Sequence, residues 1–396
     1  MKRLKNLPQD LKLLFVATLF FGAANGIFQA SLNNYLSDVH GLDATARGWL
    51  EFPRELPGFF IIFVSAALLS LMRESKMAAV AMALSAIGAV GLGFAADNIV
   101  LLVLFIVIWS LGDHVIFAVQ DAIGLQLSKE GASGRRLGQL GGVRNLGVIS
   151  GVGLMYGVAK WLGDRYDLFY LIAGIATIVA LVAYLKIKTG KGEPRSRRIV
   201  WKKKYSIYYA ISALFGVRKQ IFLAFGGWVL VKIHGVDVST IALLYFIASV
   251  LGVVFRPLLG DVIDWFGERA VLAVDEILLI AICLAYAFAG DLFSKGIAIY
   301  VLYGAFILDS VLFALRIARN TYLKKIADTP EDITPTMSMG ITIDHLVAMS
   351  LPVLSGYIWS SFGFRWVFIL AGVIAAAGFF VCLRIRVPAS VSVQNQ

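Results

Sequence analysis

The chain carries its own copy. Asn33 to Leu50 reads NNYLSDVHGLDATARGWL, and Gly227 to Leu244 reads GWVLVKIHGVDVSTIALL. His40-Gly41-Leu42-Asp43 thus answers His234-Gly235-Val236-Asp237. The stretch GDHVIFAVQDAIGLQL, Gly112 to Leu127, answers LDSVLFALRIARNTYL, Leu308 to Leu323, and sets Asp113 opposite Asp309. LFYLIAGI from Leu168 matches WVFILAGV from Trp366. The separation drifts only from roughly 194 to 198 residues. A repeat this long is a multi-helix unit used twice, so the chain is constrained to two alike halves.

What fills each half is apolar. The 396 residues are 59% hydrophobic and 15% charged, where a soluble domain has about 45–50% and about 25%. A helix needs about 20 mostly apolar residues to cross a bilayer. Twelve stretches qualify: 11–36, 48–71, 77–95, 99–127, 138–162, 168–187, 205–233, 239–259, 270–290, 296–325, 335–361 and 365–386. Lipid cannot satisfy exposed backbone N–H and C=O groups, so these stretches must span as helices. The expected fold is an all-α membrane protein of two pseudo-symmetric six-helix bundles. The first occupies 1–187, a basic linker 188–204, the second bundle 205–386 and a cytoplasmic tail 387–396.

Orientation follows from the placement of Lys and Arg. The middle connection holds Lys186, Lys188, Lys191, Arg195, Arg197, Arg198, Lys202, Lys203 and Lys204 against Glu193. Lys2, Arg3, Lys5, Arg73, Lys76, Lys129, Arg135, Arg136, Lys324 and Lys325 fall on the same side. The opposite side is poorer in positive charge, with Asp38, Asp43, Arg47, Asp97, Asp164, Arg165, Asp167, Asp237, Asp291 and Lys295. Both termini are therefore expected in the cytoplasm of a bacterial inner-membrane protein. The net charge of +11 is this topological asymmetry, and no nucleic-acid partner is implied.

Cofactor chemistry finds little support. Cys283 and Cys382 each sit alone in an expected span and read as buried fillers, so neither a disulfide nor a metal site is implied. No G-x-x-x-x-G-K-[ST] loop is present to bind ATP. An intramembrane enzyme would need a clustered nucleophile and base, whereas His40, His114, His234 and His345 are scattered.

Between spans 8 and 9 the chain reads RPLLGDVIDWFGERA, with Arg256, Gly260, Asp261, Asp264, Phe266, Gly267, Glu268 and Arg269. This resembles the loop motif of the major facilitator superfamily: Gly-Asp, a second charge, then Gly followed by basic residues. The resemblance implies a twelve-helix carrier working by alternating access, with Arg256, Gly260, Asp261, Asp264, Gly267 and Arg269 as a conformational latch. Glycine permits the tight turn, and an Asp can accept from a helix N-terminus or an Arg. The corresponding stretch between spans 2 and 3, Leu69 to Lys76, lacks the Gly-Asp. Span 5 offers Gly142, Gly147, Gly151 and Gly153 but Val152 where antiporters of the family carry a proline. The arginine that proton antiporters of the family place in span 4 is also missing, with Asp113 and His114 near that depth. These departures weigh against drug–proton antiport.

Charge inside a span is costly, about 2.5–3.5 kcal/mol at a helix centre, and usually faces a cavity or a partner. Asn25, Gln29 and Asn33 form a polar stripe on span 1. Span 4 carries Asp113, His114, Gln120 and Asp121, while span 5 carries Arg144 and Asn145. Span 7 carries Arg218, Lys219 and Gln220, with Lys219 where the repeat has Asn25. Spacing puts Asp309, Arg316 and Asn320 on one stripe of span 10, and span 11 adds Asp344 and His345. In the superfamily the cavity is lined mainly by spans 1, 4, 7 and 10, which agrees with these stripes. Glu51, Arg54 and Glu55 begin span 2, where an outer gate and plain interfacial residues fit equally well. Asp275 and Glu276 open span 9 and are expected to pair with basic loop residues.

The expected function is secondary active transport of a small organic solute, coupled to protons or another ion, by a monomer in the bilayer. An acid in a poorly solvated cavity takes up a proton more readily, and its protonation can switch which ion pair forms and so bias one state. Asp309 with Arg316, and Asp113, are the expected centre. Arg144, Lys219 and Arg316 would suit an organic anion, and Asp113, His114, Asp344 and His345 a divalent metal. With no His-rich loop, the ferroportin-like metal carrier ranks below the organic solute. A non-transporting receptor or scaffold would be expected to lose its mid-membrane charges, which this chain keeps.

Overall fold

A computed structural model describes residues 7–95, 98–128, 133–188 and 200–387. Several residues weighed above therefore lie outside the described residues: Lys2, Arg3, Lys5, Asp97, Lys129, the linker from Lys191 to Arg198, and the tail beyond Val387. Every regular element among the described residues is helical. The first half contains α1 (Gln9–Asp38), α2 (Ala44–Leu71), α3 (Glu74–Phe94), α4 (Ile99–Gln126), α5 (Ser133–Leu162) and α6 (Tyr166–Lys186). In the second half, α7 runs as Ser206–Ile221, a π-helical Phe222–Gly226, and Gly227–Lys232. The run Val238–Leu292 is broken at Gly267, which separates α8 from α9. After it, α10 is Lys295–Leu312, a 3-10 turn Phe313–Leu315 and Arg316–Ile326. Last come α11 (Pro330–Phe362) and α12 (Phe364–Cys382).

Ten of these helices are long and apolar enough to cross a membrane. The other two, α2 and α5, are 28 and 30 residues long and carry several charges, among them Arg47, Glu51, Arg54 and Glu55, and Arg135, Arg136 and Arg144. The all-α membrane architecture expected from composition is the one observed.

Two compact units emerge. Unit 1 comprises Met1–Gly41, Leu56–Arg195 and Val236–Ser249; unit 2 comprises Leu42–Glu55, Ser196–Gly235 and Val250–Gln396. Each thus includes a short stretch from the other half of the sequence. Inside unit 1, buried Leu14, Phe21, Met77, Met82, Ile116 and Tyr184 belong to one apolar core.

The sequence repeat has a physical meaning at its clearest point. Gly41 and Gly235 take positive φ, 59° and 63°, a backbone conformation that glycine adopts without strain. Two residues on, an Asp starts the next helix: Asp43 Oδ1 accepts from Ala46 N at 2.7 Å, and Asp237 Oδ1 from Thr240 N at 2.7 Å. His-Gly-x-Asp is therefore a module that stops one helix and caps the next.

Packing repeats as well. In unit 1, Phe28 of α1 meets Tyr170 of α6 with ring centroids 6.3 Å apart; in unit 2, Phe222 of α7 meets Phe368 of α12 at 5.8 Å. A Cβ on Gly22 would lie 2.4 Å from the carbonyl oxygen of Arg144, and one on Gly216 would lie 2.8 Å from that of Asp344. Glycine thus lets α1 cross α5, and α7 cross α11, at backbone contact. Gly147 and Gly151 of α5 serve the same crossing, facing the carbonyls of Leu19 and Ala23.

Candidate substrate and ion-coupling site

Three consecutive residues of α7, two of them charged, reach into the polar contacts of unit 2. Neighbours on a helix point about 100° apart, so Arg218, Lys219 and Gln220 fan towards three sets of partners. After Ile221 the helix widens into its π segment, a feature frequent at functional sites.

Arg218 bridges α9 and α10. Its Nη1 donates to both carboxylate oxygens of Asp275, each at 2.6 Å. Its Nε and Nη2 reach Asp309 Oδ1 at 3.2 and 3.1 Å. The partner of Asp275 is therefore an α7 arginine and not the basic loop expected from sequence. Asp309 likewise takes its hydrogen bonds from Arg218, where sequence spacing had favoured Arg316. The 3-10 turn Phe313–Leu315 explains the difference. Such a turn advances about 120° per residue against about 100° for an α-helix, so three residues of it rotate Arg316 and Asn320 by about 60° from their α-helical register with Asp309. Arg316 is exposed and stands 5.5 Å from the Phe313 ring; Asn320 is half-buried.

Lys219 turns to α11 and α2. Its Nζ lies 3.0 Å from Asp344 Oδ1 and 3.4 Å from Glu55 Oε2. His345 Nδ1 contacts the same Glu55 oxygen at 2.9 Å. Arg54 links Glu55 to Glu51, at 3.0 Å to the first and with its Nε 2.6 Å from the second. Glu51 also accepts from Arg47 and from Gln220. Glu51 and Arg47 are almost fully inaccessible. Arg47, Arg54 and Lys219 balance Glu51, Glu55 and Asp344. Sequence reading left Glu51 and Glu55 open between a gate and interfacial residues; their burial against α7 and α11 decides for a specific network.

Unit 1 repeats the scheme with weaker chemistry. Asn25 Nδ2 donates to Asp113 Oδ1 at 3.0 Å, the α1–α4 counterpart of Arg218 with Asp309. Arg144 donates to Gln120, whose Nε2 lies 2.6 Å from Thr18 Oγ1, and its guanidinium stands 4.9 Å from the Phe117 ring. His114 Nδ1 is 2.8 Å from the carbonyl oxygen of Ser110. Gln29 is half-buried and makes no hydrogen bond among the described residues.

Around the α8–α9 break, Arg256, Gly260, Asp261, Asp264 and Arg269 are exposed, and Gly267 takes φ 75° and ψ 159°. Asp261 and Asp264 make no ion pair among the described residues. Buried Glu268 does, 2.7 Å from Lys325 at the end of α10. Nearby in unit 2, Asp328 accepts from Lys202 at 2.9 Å and from Lys204. Those two ammonium groups hold its carboxyl below the usual range, at about 2.

A repeated six-helix unit with charge networks buried in membrane-length helices defines a polytopic membrane carrier. The Major Facilitator Superfamily pattern matches residues 14–327, and the chain belongs to that family. It is a multi-pass secondary transporter of a small molecule and not an enzyme. No curated protein matches the chain. Similar solved structures include the nucleoside transporter NupG, 14% identical over 96% of this chain and 99% of that one, with a TM-score of 0.72. A D-xylose–proton symporter is 14% identical over 97% and 98%, with a TM-score of 0.71. A POT family transporter in complex with a thioalcohol-conjugated peptide is 12% identical over 96% and 98%, with a TM-score of 0.76. At these identities the likeness is one of fold.

Proposed function

We propose that the protein moves a small organic solute across a bacterial cytoplasmic membrane by alternating access coupled to protons, as a monomer with both termini in the cytoplasm. The observation that carries this reading is the fan at Arg218, Lys219 and Gln220. One helix turn is tied by charge to α2, α9, α10 and α11. Ions buried this way contribute little net stability, yet breaking one partner is expensive. A proton arriving on Asp309, Asp344 or Glu55 therefore does not add a local charge only; it releases a basic residue to another acid. Exchange of partners is the two-state element that coupling requires. Asp113 with Asn25, and Arg144 with Gln120, are the corresponding polar contacts of the first half and supply hydrogen-bonding positions for the solute. The sequence asymmetry of Lys and Arg supports the orientation.

The test is flux into proteoliposomes under an imposed pH gradient, with pools of organic anions, sugars, drug-like cations and divalent metals. Asp309→Asn and Asp113→Asn are run beside the wild type. The expected result is organic-solute flux that follows the gradient and collapses in Asp309→Asn. Flux of a divalent metal alone, or flux indifferent to both substitutions, would overturn the reading.

A further inference from the structure

Beside the Arg218 bridge, unit 2 holds an acid and a base that nothing yet described uses. Glu276 follows Asp275 on α9, yet makes no hydrogen bond or ion pair among the described residues. Arg319 on α10 is 93% buried, and its Nε and Nη1 have no hydrogen-bond partner. The guanidinium stands 4.8 Å from the ring of Phe215 and also acts electrostatically on Tyr208 of α7. Both residues line one cavity of about 20 Å³ between α7, α9 and α10, room for about one water.

The surroundings of Glu276 decide its state. Arg218 already serves Asp275 and Asp309. The other charged or titratable groups facing Glu276 are Asp275 and Cys283 on its own helix, Arg218 on α7, Arg316 and Arg319 on α10, and Cys382 on α12. Behind it, a Cβ on Gly378 of α12 would lie 2.8 Å from its carboxylate, so α12 walls it in with backbone. Glu276 is half-buried, and its carboxylate stands beside that of Asp275 with no hydrogen-bond or ion-pair partner of its own among the described residues. The repeat makes the same point. In the first half the positions 194 to 196 residues earlier than Glu276 are Val80, Ala81 and Met82, so the second half alone introduced an acid here.

We propose that Glu276 is a proton-binding residue of the transport cycle and that Arg319, across the same cavity, is the counter-ion it takes when the proton leaves. This rests on the proton-coupled reading above. The step is a simple dissociation: the Glu276 O–H bond breaks, the proton passes to water, and the carboxylate pairs with the waiting guanidinium. Pairing draws α9 towards α10 while Arg218 still ties both, so proton loss is converted into a shift between two helices.

The test needs no substrate, since the proton is the probe. Purified full-length protein is titrated while the infrared carbonyl band of protonated carboxyl groups is recorded. Wild type, Glu276→Gln, Glu276→Asp and Arg319→Gln are compared, with thermal unfolding as the check on folding. Wild type should show a band that titrates, Glu276→Gln should lack it, and Glu276→Asp should restore it. In Arg319→Gln the proton should bind about tenfold tighter, a shift of about one pH unit in the midpoint, because the counter-ion of the anion is gone. An unchanged band in Glu276→Gln, or an unchanged midpoint in Arg319→Gln, would overturn the proposal. A wild type whose flux ignores an imposed pH gradient would instead sink the coupled-transport reading, while the infrared result would still place the proton.

Discussion

Arg218 holds Asp309 across α7 and α10 at 3.1 Å, and in the first half Asn25, the repeat counterpart of the adjacent Lys219, holds Asp113 across α1 and α4 at 3.0 Å. The same crossing is thus an ion pair in one unit and a neutral donor on an acid in the other. Removing Arg218 strands two carboxylates, buried Asp275 and half-buried Asp309. Arg218→Gln should therefore destabilise the protein by about 3–5 kcal/mol, read as a lower unfolding temperature in detergent, and abolish flux in proteoliposomes. An unfolding temperature equal to wild type would count against the bridge.

The first-half pair should matter less to stability. Asn25→Ala removes one hydrogen bond to a charged group, worth about 1.5–3 kcal/mol. Its loss of stability should be smaller than that of Arg218→Gln when both are measured in the same detergent.

Backbone contact between α1 and α5 has its own signature. A Cβ on Gly147 would lie 2.1 Å from the Leu19 carbonyl oxygen, whereas nothing stands within 4 Å of one on Gly157 in the same helix. Gly147→Ala should cost about 1–3 kcal/mol through overpacking. Gly157→Ala should be neutral or stabilising by up to about 1 kcal/mol, from helix propensity alone. Thermal unfolding of the two variants side by side checks this.

Gly267 separates α8 from α9 at φ 75° and ψ 159°, a region only glycine occupies comfortably. No atom obstructs a side chain there, so the penalty for Gly267→Ala is purely conformational, about 1–3 kcal/mol. The Glu268–Lys325 pair follows directly, so reduced flux should accompany the loss of stability. Flux and stability both equal to wild type would remove Gly267 from the latch.

Asp328 carries the pH signature outside the membrane. Its carboxyl, lowered from 3.8 to about 2 by Lys204 and Lys202, is more acidic folded than unfolded. The stabilisation is therefore fully present above pH 3.8 and is lost as the pH falls towards about 2. Asp328 N also donates to Tyr205 Oη at 3.0 Å, which makes this loop a local reporter. Asp328→Asn should raise amide exchange near Tyr205 at neutral pH. The difference from wild type should shrink with added salt and below pH 3.8.

Much of the fold was legible because it follows from local rules. Twelve apolar stretches must be helices in lipid, whatever they pack against. The pair His40-Gly41-Leu42-Asp43 and His234-Gly235-Val236-Asp237 encodes a helix stop and a helix cap within four residues, so the repeat could be read without coordinates. The candidate acids and bases were also visible, since each stands out in an apolar span. Period alone even placed Asp309 and Arg316 on one stripe, and there it failed. Three residues of 3-10 helix between them, invisible in the pattern, rotate the register.

What the amino-acid order determined by itself is therefore the number of helices, their doubling and the charges they carry. Only the tertiary structure decided which charge meets which. Helical periodicity gives a side chain's direction around its own axis but not the helix that stands there. Glu55 and His345, 290 residues apart, meet at 2.9 Å, and Asp275 and Asp309 take their hydrogen bonds from Arg218 of α7 and not from Arg269 or Arg316 of their own helices. In a low-dielectric interior a buried charge is stable only against the partner that packing delivers, and packing is a property of the whole unit.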